Sequence, residues 1–340
     1  MDKPLVTVFI SLYNCEDYIS DALESILNQT YENLDILIVD DGSTDQSVEK
    51  VLQYKDERIR LIRNGKNRGI PYTRNVGLRE ARGKYIAIMD SDDISFPSRI
   101  ERQVHYLEEH EDIDAVGSFY IQFGGWFRKR VKTKFVNHED LRMMLLFYNP
   151  IANPSVMIRK SSLEKRQLRY HEDYFVAQDY QLWAQLIKTG KIQILPEYLL
   201  KYRFGHENIS KRSNRQKLLQ RKRLIDEIHR DLLDFYGIAL NPEELEVFNN
   251  FFTENNGGSI PEIEKIHSLI KKIKAWNQSE AVFNHRRFLM VLDYCIVLSV
   301  NRLKLNLLDK LRLYYQLSNR ISPIIIGEII IKHIYRLLKK

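Results

Sequence analysis

Short apolar runs alternate with stretches of helical periodicity along the first hundred residues. Between the runs, apolar residues recur every three or four positions, as on one face of a helix. Continuous apolar strands separated by helices are typical of a mostly parallel sheet that is covered by helices on both faces. The pattern therefore predicts an α/β fold. The apolar runs are Leu5–Ile10, Leu34–Val39, Ile59–Ile62 and Tyr85–Met89.

The hydrophobic pattern changes twice further along the chain. From about residue 96 to 203 it mixes strand and helix signals, and after about residue 215 it is helical almost throughout. We therefore expect one domain over residues 1–212, with halves of about 1–95 and 96–212. A helical C-terminal extension should follow over residues 213–340.

Polar residues follow three of the predicted strands at the point where each strand ends. Ser11 and Tyr13 follow the first run, Asp40 and Asp41 the second, and Asp90-Ser91-Asp92 the fourth. In open parallel sheets, ligands bind at the carboxyl ends of the strands. The sequence therefore predicts a ligand site at this edge of the sheet.

The triplet that contains Asp90 and Asp92 suits a metal ion. Carboxylates of this kind bind Mg²⁺ or Mn²⁺ that also holds substrate phosphates. A turn or a helix cap is the alternative, because Asp is common at both. The triplet alone leaves the two interpretations open.

Six segments in chain order resemble one known family. Together they span roughly residues 5–210, and they resemble the large group of inverting glycosyltransferases called family two, which have the GT-A fold. The resemblance implies a Rossmann-like GT-A domain that binds a nucleotide-sugar. The segments are Val6–Asn14, Ser25–Tyr31, Ile38–Asp45, Asn67–Gly77, Gly83–Asp93 and Ala177–Trp183.

The resemblance also implies roles for residues of the donor half. Asp92 would bind Mn²⁺ or Mg²⁺, and His206 would approach the diphosphate or the metal. A carboxylate such as Asp41 can accept the imide N–H of uracil, so the expected donor is a UDP-sugar. The residues implied to hold the nucleotide are Ser11, Tyr13, Asp41, Arg74 and Asp90.

Asp179 is the catalytic base that the resemblance implies. A sugar hydroxyl becomes a good nucleophile when a carboxylate takes its proton as the new bond forms. One base on the acceptor side would permit a single displacement with inversion. Asp173 and Glu172 are the rival bases, and a plain helix cap is the structural alternative for Asp179.

The expected function is therefore metal-assisted transfer of a sugar from a nucleotide-sugar to a hydroxyl acceptor. The acceptor would be a glycan or a lipid-linked sugar of cell-surface polysaccharide or glycolipid assembly. One alternative is a nucleotidyltransferase that makes nucleotide-sugars, but the first strand is followed by Ser11–Asn14 without a glycine. The other alternative is a non-catalytic protein that binds a membrane surface.

Net charge concentrates at the C-terminus. Residues 301–340 hold nine Lys or Arg and two acids, which equals the whole formal charge of +7, so the catalytic half is neutral and nucleic acid is not an expected partner. Two distant cysteines and an N-terminus without a signal-peptide pattern predict a cytoplasmic protein. Isoleucines and bases in residues 321–340 could hold it at an anionic inner membrane face, or could form a packed helix.

Overall fold

A computed structural model describes residues 3–205, 215–253, 262–303, 305–318, 327 and 329–331. The chain divides into two compact units. The first comprises Met1–His138 and Pro150–Arg212, and the second comprises Glu139–Asn149 and Ser213–Lys340. The segment Glu139–Asn149 lies within the acceptor half of the predicted catalytic domain, yet it groups with the helical unit.

A nine-stranded sheet forms the centre of the first unit, in the order β3-β2-β1-β4-β8-β6-β9-β5, with β7 paired to β6. Within the described residues, six strands run in one direction, and β5, β7 and β8 run against them. The predicted α/β class with a mostly parallel sheet is confirmed. The strands are β1 (Val6–Leu12), β2 (Leu34–Asp40), β3 (Ile59–Arg63), β4 (Tyr85–Asp90), β5 (Ile94–Ser95), β6 (Ala115–Gly124), β7 (Phe127–Val131), β8 (Met157–Arg159) and β9 (Ile192–Arg203).

Helices connect these strands. Most have an apolar face that is buried, as the periodicity predicts. Within the first unit they are α1 (Ile19–Leu27), α2 (Ser47–Leu52), α3 (Ile70–Glu80), α4 (Arg99–Glu109), α6 (Lys160–Arg166) and α7 (Gln178–Thr189), with a short 3-10 helix at Asn153–Ser155.

The parallel register brings the polar strand ends together. Ser11 lies between Val39 on one side and Asp90 on the other. All seven residues of β2 are buried, because helices cover both faces of this part of the sheet. The carboxyl ends of β1, β2 and β4 consequently meet at one edge.

Two glycines allow close packing near that edge. A Cβ at Gly77 would lie 2.3 Å from the ring of Phe9, so α3 approaches β1 more closely than a side chain would permit. Gly42 follows the second strand with φ +76°, and a Cβ there would lie 2.7 Å from the backbone of Lys66. These contacts place α3 and the loop before it against the strand ends.

The second unit is helical. Phe147, Phe248 and Phe252 pack together, with ring centroids 4.6–5.8 Å apart. Among the residues that the structure describes, no helix has the length and apolar character needed to cross a membrane. The sequence predicts that residues 321–340 bind a membrane surface or form a packed helix. These residues lie almost wholly outside the described part of the chain. The helices are α5 (His138–Met144), which begins in the first unit, α8 (Arg215–Tyr236), α9 (Pro242–Phe252), α10 (Ile263–Glu280), α11 (His285–Arg302) and α12 (Leu307–Ser318).

Candidate active site

Asp41 is tied to the loop that precedes α3. Its Oδ1 accepts hydrogen bonds from the Arg68 backbone N–H at 2.9 Å and from Asn64 Nδ2 at 3.0 Å, and its Oδ2 accepts from Gly69 N–H at 2.8 Å. A carboxylate has about four acceptor positions. Asp41 therefore shapes this loop and retains room for about one further donor.

The loop after β1 is fixed to the loop after β2. Asn14 has φ 45°, and its side-chain oxygen accepts a hydrogen bond from Thr44 N–H at 2.8 Å. Its own N–H donates to Ser43 Oγ at 3.0 Å. Tyr13 lies between these anchors and Ser11, and it is 41% exposed. The ring of Tyr13 is thus presented to solvent at the strand edge, while Ser11 is half-buried there.

Arg74 is the buried cation of the site. It lies on α3 and is 5% exposed, and its Nη2 donates to Asp90 Oδ1 at 3.0 Å. With its side-chain oxygen facing Arg74, Asn153 accepts from both terminal guanidinium nitrogens, at 3.2 and 3.1 Å. The guanidinium also lies 5.4 Å from the ring centroid of Tyr170. The structure therefore joins Arg74 and Asp90, two of the predicted nucleotide residues, directly.

Asp179 lies in the first turn of α7 and belongs to the same electrostatic cluster. The residue before the helix, Ala177, has φ 59°, a left-handed conformation that is uncommon for alanine. Burial raises the pKa of the Asp179 carboxyl and the Asp90 charge raises it further, whereas the Arg74 cation and two backbone N–H groups oppose these effects. The pKa of Asp179 remains above its ordinary value, as is common for groups at functional sites.

The rival bases occupy a different environment. The Asp173 side chain is 87% exposed, and its Oδ2 lies 3.6 Å from His171 Nδ1. Glu172 is also exposed. Neither shares the buried surroundings of Asp179, so the cluster around Arg74 includes only one of the three candidate carboxylates.

Tyr170 and Asn153 complete the cluster, although the sequence predicts a defined role for neither. The Tyr170 hydroxyl lies 3.3 Å from the Asn153 side-chain amide. Asn75, the neighbour of Arg74, exchanges two hydrogen bonds of 2.8 Å with the Tyr170 backbone. Burial raises the pKa of the Tyr170 hydroxyl, so this group stays neutral. Tyr170 follows no motif, so no local signal marks it.

The acidic loop after β4 is held by Arg203. Asp93 is buried, and its Oδ1 accepts from the Arg203 backbone N–H at 2.8 Å. The Arg203 Nε donates to the Asp92 carbonyl at 2.8 Å. Burial, followed by the charges of Asp92 and Asp90, raises the pKa of Asp93 well above its usual range. Three carboxylates are therefore crowded at this strand end.

The acidic loop fits a cation that is shared with a substrate. No group of three or more His, Cys, Asp or Glu within the described residues could enclose a metal ion by itself. Mg²⁺, however, is usually held by one or two carboxylates together with substrate phosphates and water. Asp92 and Asp90 supply such carboxylates, and their negative charges, both of which raise the pKa of Asp93, are what a divalent cation would balance. His206, the other predicted ligand, lies outside the described residues.

Comparison with known sequences gives the family. The pattern of the family described as Glycosyl transferase family 2 matches residues 7–171. An uncharacterized glycosyltransferase of Haemophilus influenzae is 37% identical over 246 residues, which cover 68% of this chain and 74% of the relative. The chain belongs to glycosyl transferase family 2. The family predicted from the six sequence segments of this glycosyltransferase is therefore confirmed.

Two further comparisons give a named relative and a solved structure to which this glycosyltransferase is similar. An Escherichia coli enzyme named UDP-Glc:alpha-D-GlcNAc-diphosphoundecaprenol beta-1,3-glucosyltransferase WfaP is 32% identical, over 55% of this chain and 71% of the relative. The crystal structure of S. aureus TarS residues 1–349 with UDP-GlcNAc has a TM-score of 0.60 and 19% identity, over 98% of this chain and 91% of that one. The likeness to TarS confirms the GT-A fold with a helical C-terminal part.

Proposed function

We propose that this glycosyltransferase moves a sugar from a UDP-sugar to a hydroxyl group of a glycan or lipid-linked acceptor, with inversion. The relative WfaP is named for UDP-glucose and a diphosphoundecaprenol acceptor, and TarS was crystallised with UDP-GlcNAc. Both names support a UDP-linked donor. Assembly of a cell-surface polysaccharide or glycolipid is the setting that we propose.

One observation supports this function most strongly: the buried Arg74 guanidinium interacts electrostatically with the half-buried carboxylates of Asp90 and Asp179 at the carboxyl edge of the sheet. Asp90 belongs to the strand end that we assign to the donor. Asp179 belongs to the acceptor half of the domain. Arg74 forms an ion pair with Asp90, and its charge opposes the effect of burial on the pKa of Asp179. A carboxylate with these surroundings can accept the proton of a hydroxyl group.

We assign the proton transfer to Asp179. The acceptor oxygen forms its bond to the anomeric carbon as the bond from that carbon to the diphosphate oxygen breaks. The hydroxyl proton moves to a carboxylate oxygen of Asp179, and UDP departs with the electron pair of the broken bond. A single displacement of this kind inverts the anomeric configuration. No second nucleophile from the protein is needed.

We assign the donor to the strand edge formed by Ser11, Tyr13 and Asp41. The exposed ring of Tyr13 provides a surface for the base, and Asp41 has about one acceptor position left for an imide N–H. A Mn²⁺ or Mg²⁺ ion held by Asp92, with His206 as a further proposed ligand, would supply Lewis-acid stabilisation of the charge on the leaving diphosphate.

A screen of nucleotide-sugars for slow hydrolysis tests this function. The enzyme would be incubated with Mn²⁺ and single UDP-, GDP- and dTDP-sugars, and proton NMR would follow the anomeric signals. We expect release of sugar from a UDP-sugar, with the first product in the inverted configuration. Asp179→Asn is the catalytic control. Retained configuration, or release only from a donor without uracil, would contradict the proposal.

A further inference from the structure

The strands β6 and β7 form a hairpin with a two-residue tip. Pairing runs from Tyr120–Val131 to Gly124–Phe127, which leaves Gly125 and Trp126 in the turn. Gly125 has φ +54°, as expected for the first central residue of a type II′ turn. This turn places Trp126 at the outermost point of the hairpin. We call residues 124–134 the basic hairpin.

The basic hairpin combines an exposed aromatic tip with positive charge. Trp126 is fully exposed, whereas Trp183 is buried and Trp276 is half-buried. No Asp or Glu occurs in residues 115–138. Five basic side chains of the hairpin are exposed, namely Arg128, Lys129, Arg130, Lys132 and Lys134.

Protection of a sheet edge explains only part of this composition. Basic side chains on an edge strand such as β7 discourage pairing with other molecules. A fully exposed tryptophan at the tip does not contribute to that protection. Tryptophan is instead enriched at membrane interfaces, where its ring lies among lipid headgroups and its N–H finds a polar partner. Trp126 among cations therefore has the chemistry of an interfacial anchor.

The basic hairpin adjoins the acidic loop of the active site. The backbone N–H of Phe204 donates to the Phe123 carbonyl at 2.7 Å, and the rings of Phe204 and Phe127 are 6.3 Å apart. Phe204 is 41% exposed, so it adds apolar surface at the base of the hairpin. Its neighbour Arg203 is the residue whose Nε donates to the Asp92 carbonyl. A surface bound by the hairpin would thus lie close to the reacting groups.

We infer that the basic hairpin docks this enzyme on a bilayer that contains anionic phospholipid. Trp126 enters the headgroup region, and the exposed bases contact lipid phosphates. The positive hairpin and the negative lipid surface are complementary in charge, and no acidic side chain of the hairpin opposes the contact. The inference goes beyond the proposed sugar transfer, because docking requires neither a donor nor an acceptor. Docking would bring the site to acceptors that are held in the membrane.

Vesicle binding by the full chain tests the hairpin. Co-sedimentation would use vesicles of phosphatidylcholine alone and vesicles with about one third phosphatidylglycerol. Each base near an anionic surface contributes a factor of roughly five to the partition coefficient. Joint replacement of Arg128, Arg130 and Lys132 by Gln should therefore weaken binding roughly 100-fold. Lys55, Arg79 and Lys165, three exposed bases elsewhere in the first unit, are the matched set for a Gln control that should bind like the unchanged chain.

Tryptophan fluorescence supplies a second readout that is specific for the tip. Lipids brominated on the acyl chains quench a tryptophan that enters the interface. The difference between the unchanged chain and Trp126→Phe isolates the signal of Trp126, and we expect that signal to be quenched and shifted to the blue.

Two results would overturn the inference. Equal vesicle binding by the hairpin and control variants would assign docking to another segment, such as the basic residues 321–340, which are present in every variant. Binding that weakens in the hairpin variant without quenching of Trp126 would contradict entry of the tip into the headgroup region. Melting temperatures equal to that of the unchanged chain would show that the variants fold. Sugar release is measured separately, so failure of docking and failure of the proposed reaction remain distinguishable.

Discussion

Two acid–arginine groups lie at opposite ends of the same sheet and differ in character. At the amino ends of the strands, Asp35 accepts two hydrogen bonds from Arg60, at 2.6 and 2.8 Å, and a third from Thr7 at 2.8 Å. At the carboxyl ends, Arg74 donates to Asp90 at 3.0 Å, and its Nε is buried without a hydrogen-bond partner among the described residues. Both carboxylate oxygens of the first group accept internal bonds from Arg60, whereas the second group keeps a buried guanidinium nitrogen without one in the described part of the chain.

The pKa shifts follow this difference. Burial acts to raise the pKa of Asp35, but the hydrogen bonds from Arg60 and Thr7 outweigh burial and lower it. The pair therefore contributes stability above the unfolded-state pKa, and this contribution is lost as the pH falls through the folded-state pKa. Burial dominates at Asp179, whose pKa is raised despite Arg74. A carboxyl group whose pKa is lowered by internal hydrogen bonds indicates a structural role. A carboxyl group whose pKa is raised within a polar cluster indicates a functional role.

Among changes at the carboxyl ends of the strands, replacement of Asp92 should have the largest effect on sugar transfer. Lewis-acid stabilisation is worth several kcal/mol, so Asp92→Ala should lower transfer by about 10²–10⁴-fold. The affinity for UDP should lose its dependence on Mn²⁺, which calorimetry with and without the metal would show. Glu101, an exposed acid on α4, provides the control Glu101→Ala. Unchanged metal-dependent UDP binding in Asp92→Ala would remove this residue from the site.

The second largest effect should come from replacing each arginine, and the two replacements should differ in their effect on sugar transfer. Arg74→Gln leaves the half-buried Asp90 without its ion-pair partner, and losing a hydrogen bond to a charged group costs about 1.5–3 kcal/mol of folding free energy. Transfer should fall as well, because Asp179 loses the cation that favours its ionised form. Arg60→Gln should cost about 1–3 kcal/mol, since Asp35 keeps its bond to Thr7.

The check is denaturant unfolding together with transfer rates per folded molecule. Arg60→Gln should transfer sugar at the normal rate when folded. A loss of transfer by Arg60→Gln comparable to that by Arg74→Gln would mean that the two groups do not differ in role.

A smaller effect should appear in the pH dependence. The base must be ionised, so transfer should rise with pH through the pKa of Asp179, which lies above the ordinary value for aspartate. Arg74→Gln should move this acidic limb to higher pH, because the cation that lowers the pKa is gone. Arg74→Lys keeps the positive charge and should therefore move the acidic limb of the pH profile less. The measurement is kcat/KM against pH for the three proteins, and identical limbs would argue against coupling between Arg74 and Asp179.

The sequence predicted the parts of the site that depend on local order. Asp90 and Asp92 are recognisable because they follow an apolar strand directly, and parallel strands bring such ends together. The contacts of Tyr170 and Arg203 could not be predicted in this way. Asn75 and Tyr170 are 95 positions apart, and Arg203 and Asp92 are 111 apart, so only the folded chain brings them together.

Asp41 illustrates a second limit. Its position after β2 predicts a carboxylate at the site, but not that three donors of the loop before α3 already occupy it. The number of hydrogen bonds that a carboxylate accepts depends on the path of the neighbouring loop, which composition does not determine. The grouping of Glu139–Asn149 with the helical unit likewise depends on tertiary packing, which the local sequence does not determine.

A paired measurement on Asp179→Asn and Asp35→Asn tests the central claim most directly. Transfer rate and unfolding free energy would be measured for both variants, with Asp173→Asn as the surface control. We expect Asp179→Asn to lose about 10²–10⁴-fold in transfer with little change in stability, because only proton transfer is removed. Asp35→Asn should lose about 1–3 kcal/mol of stability and transfer normally when folded. Normal transfer by Asp179→Asn, or loss of transfer by folded Asp35→Asn, would contradict the account.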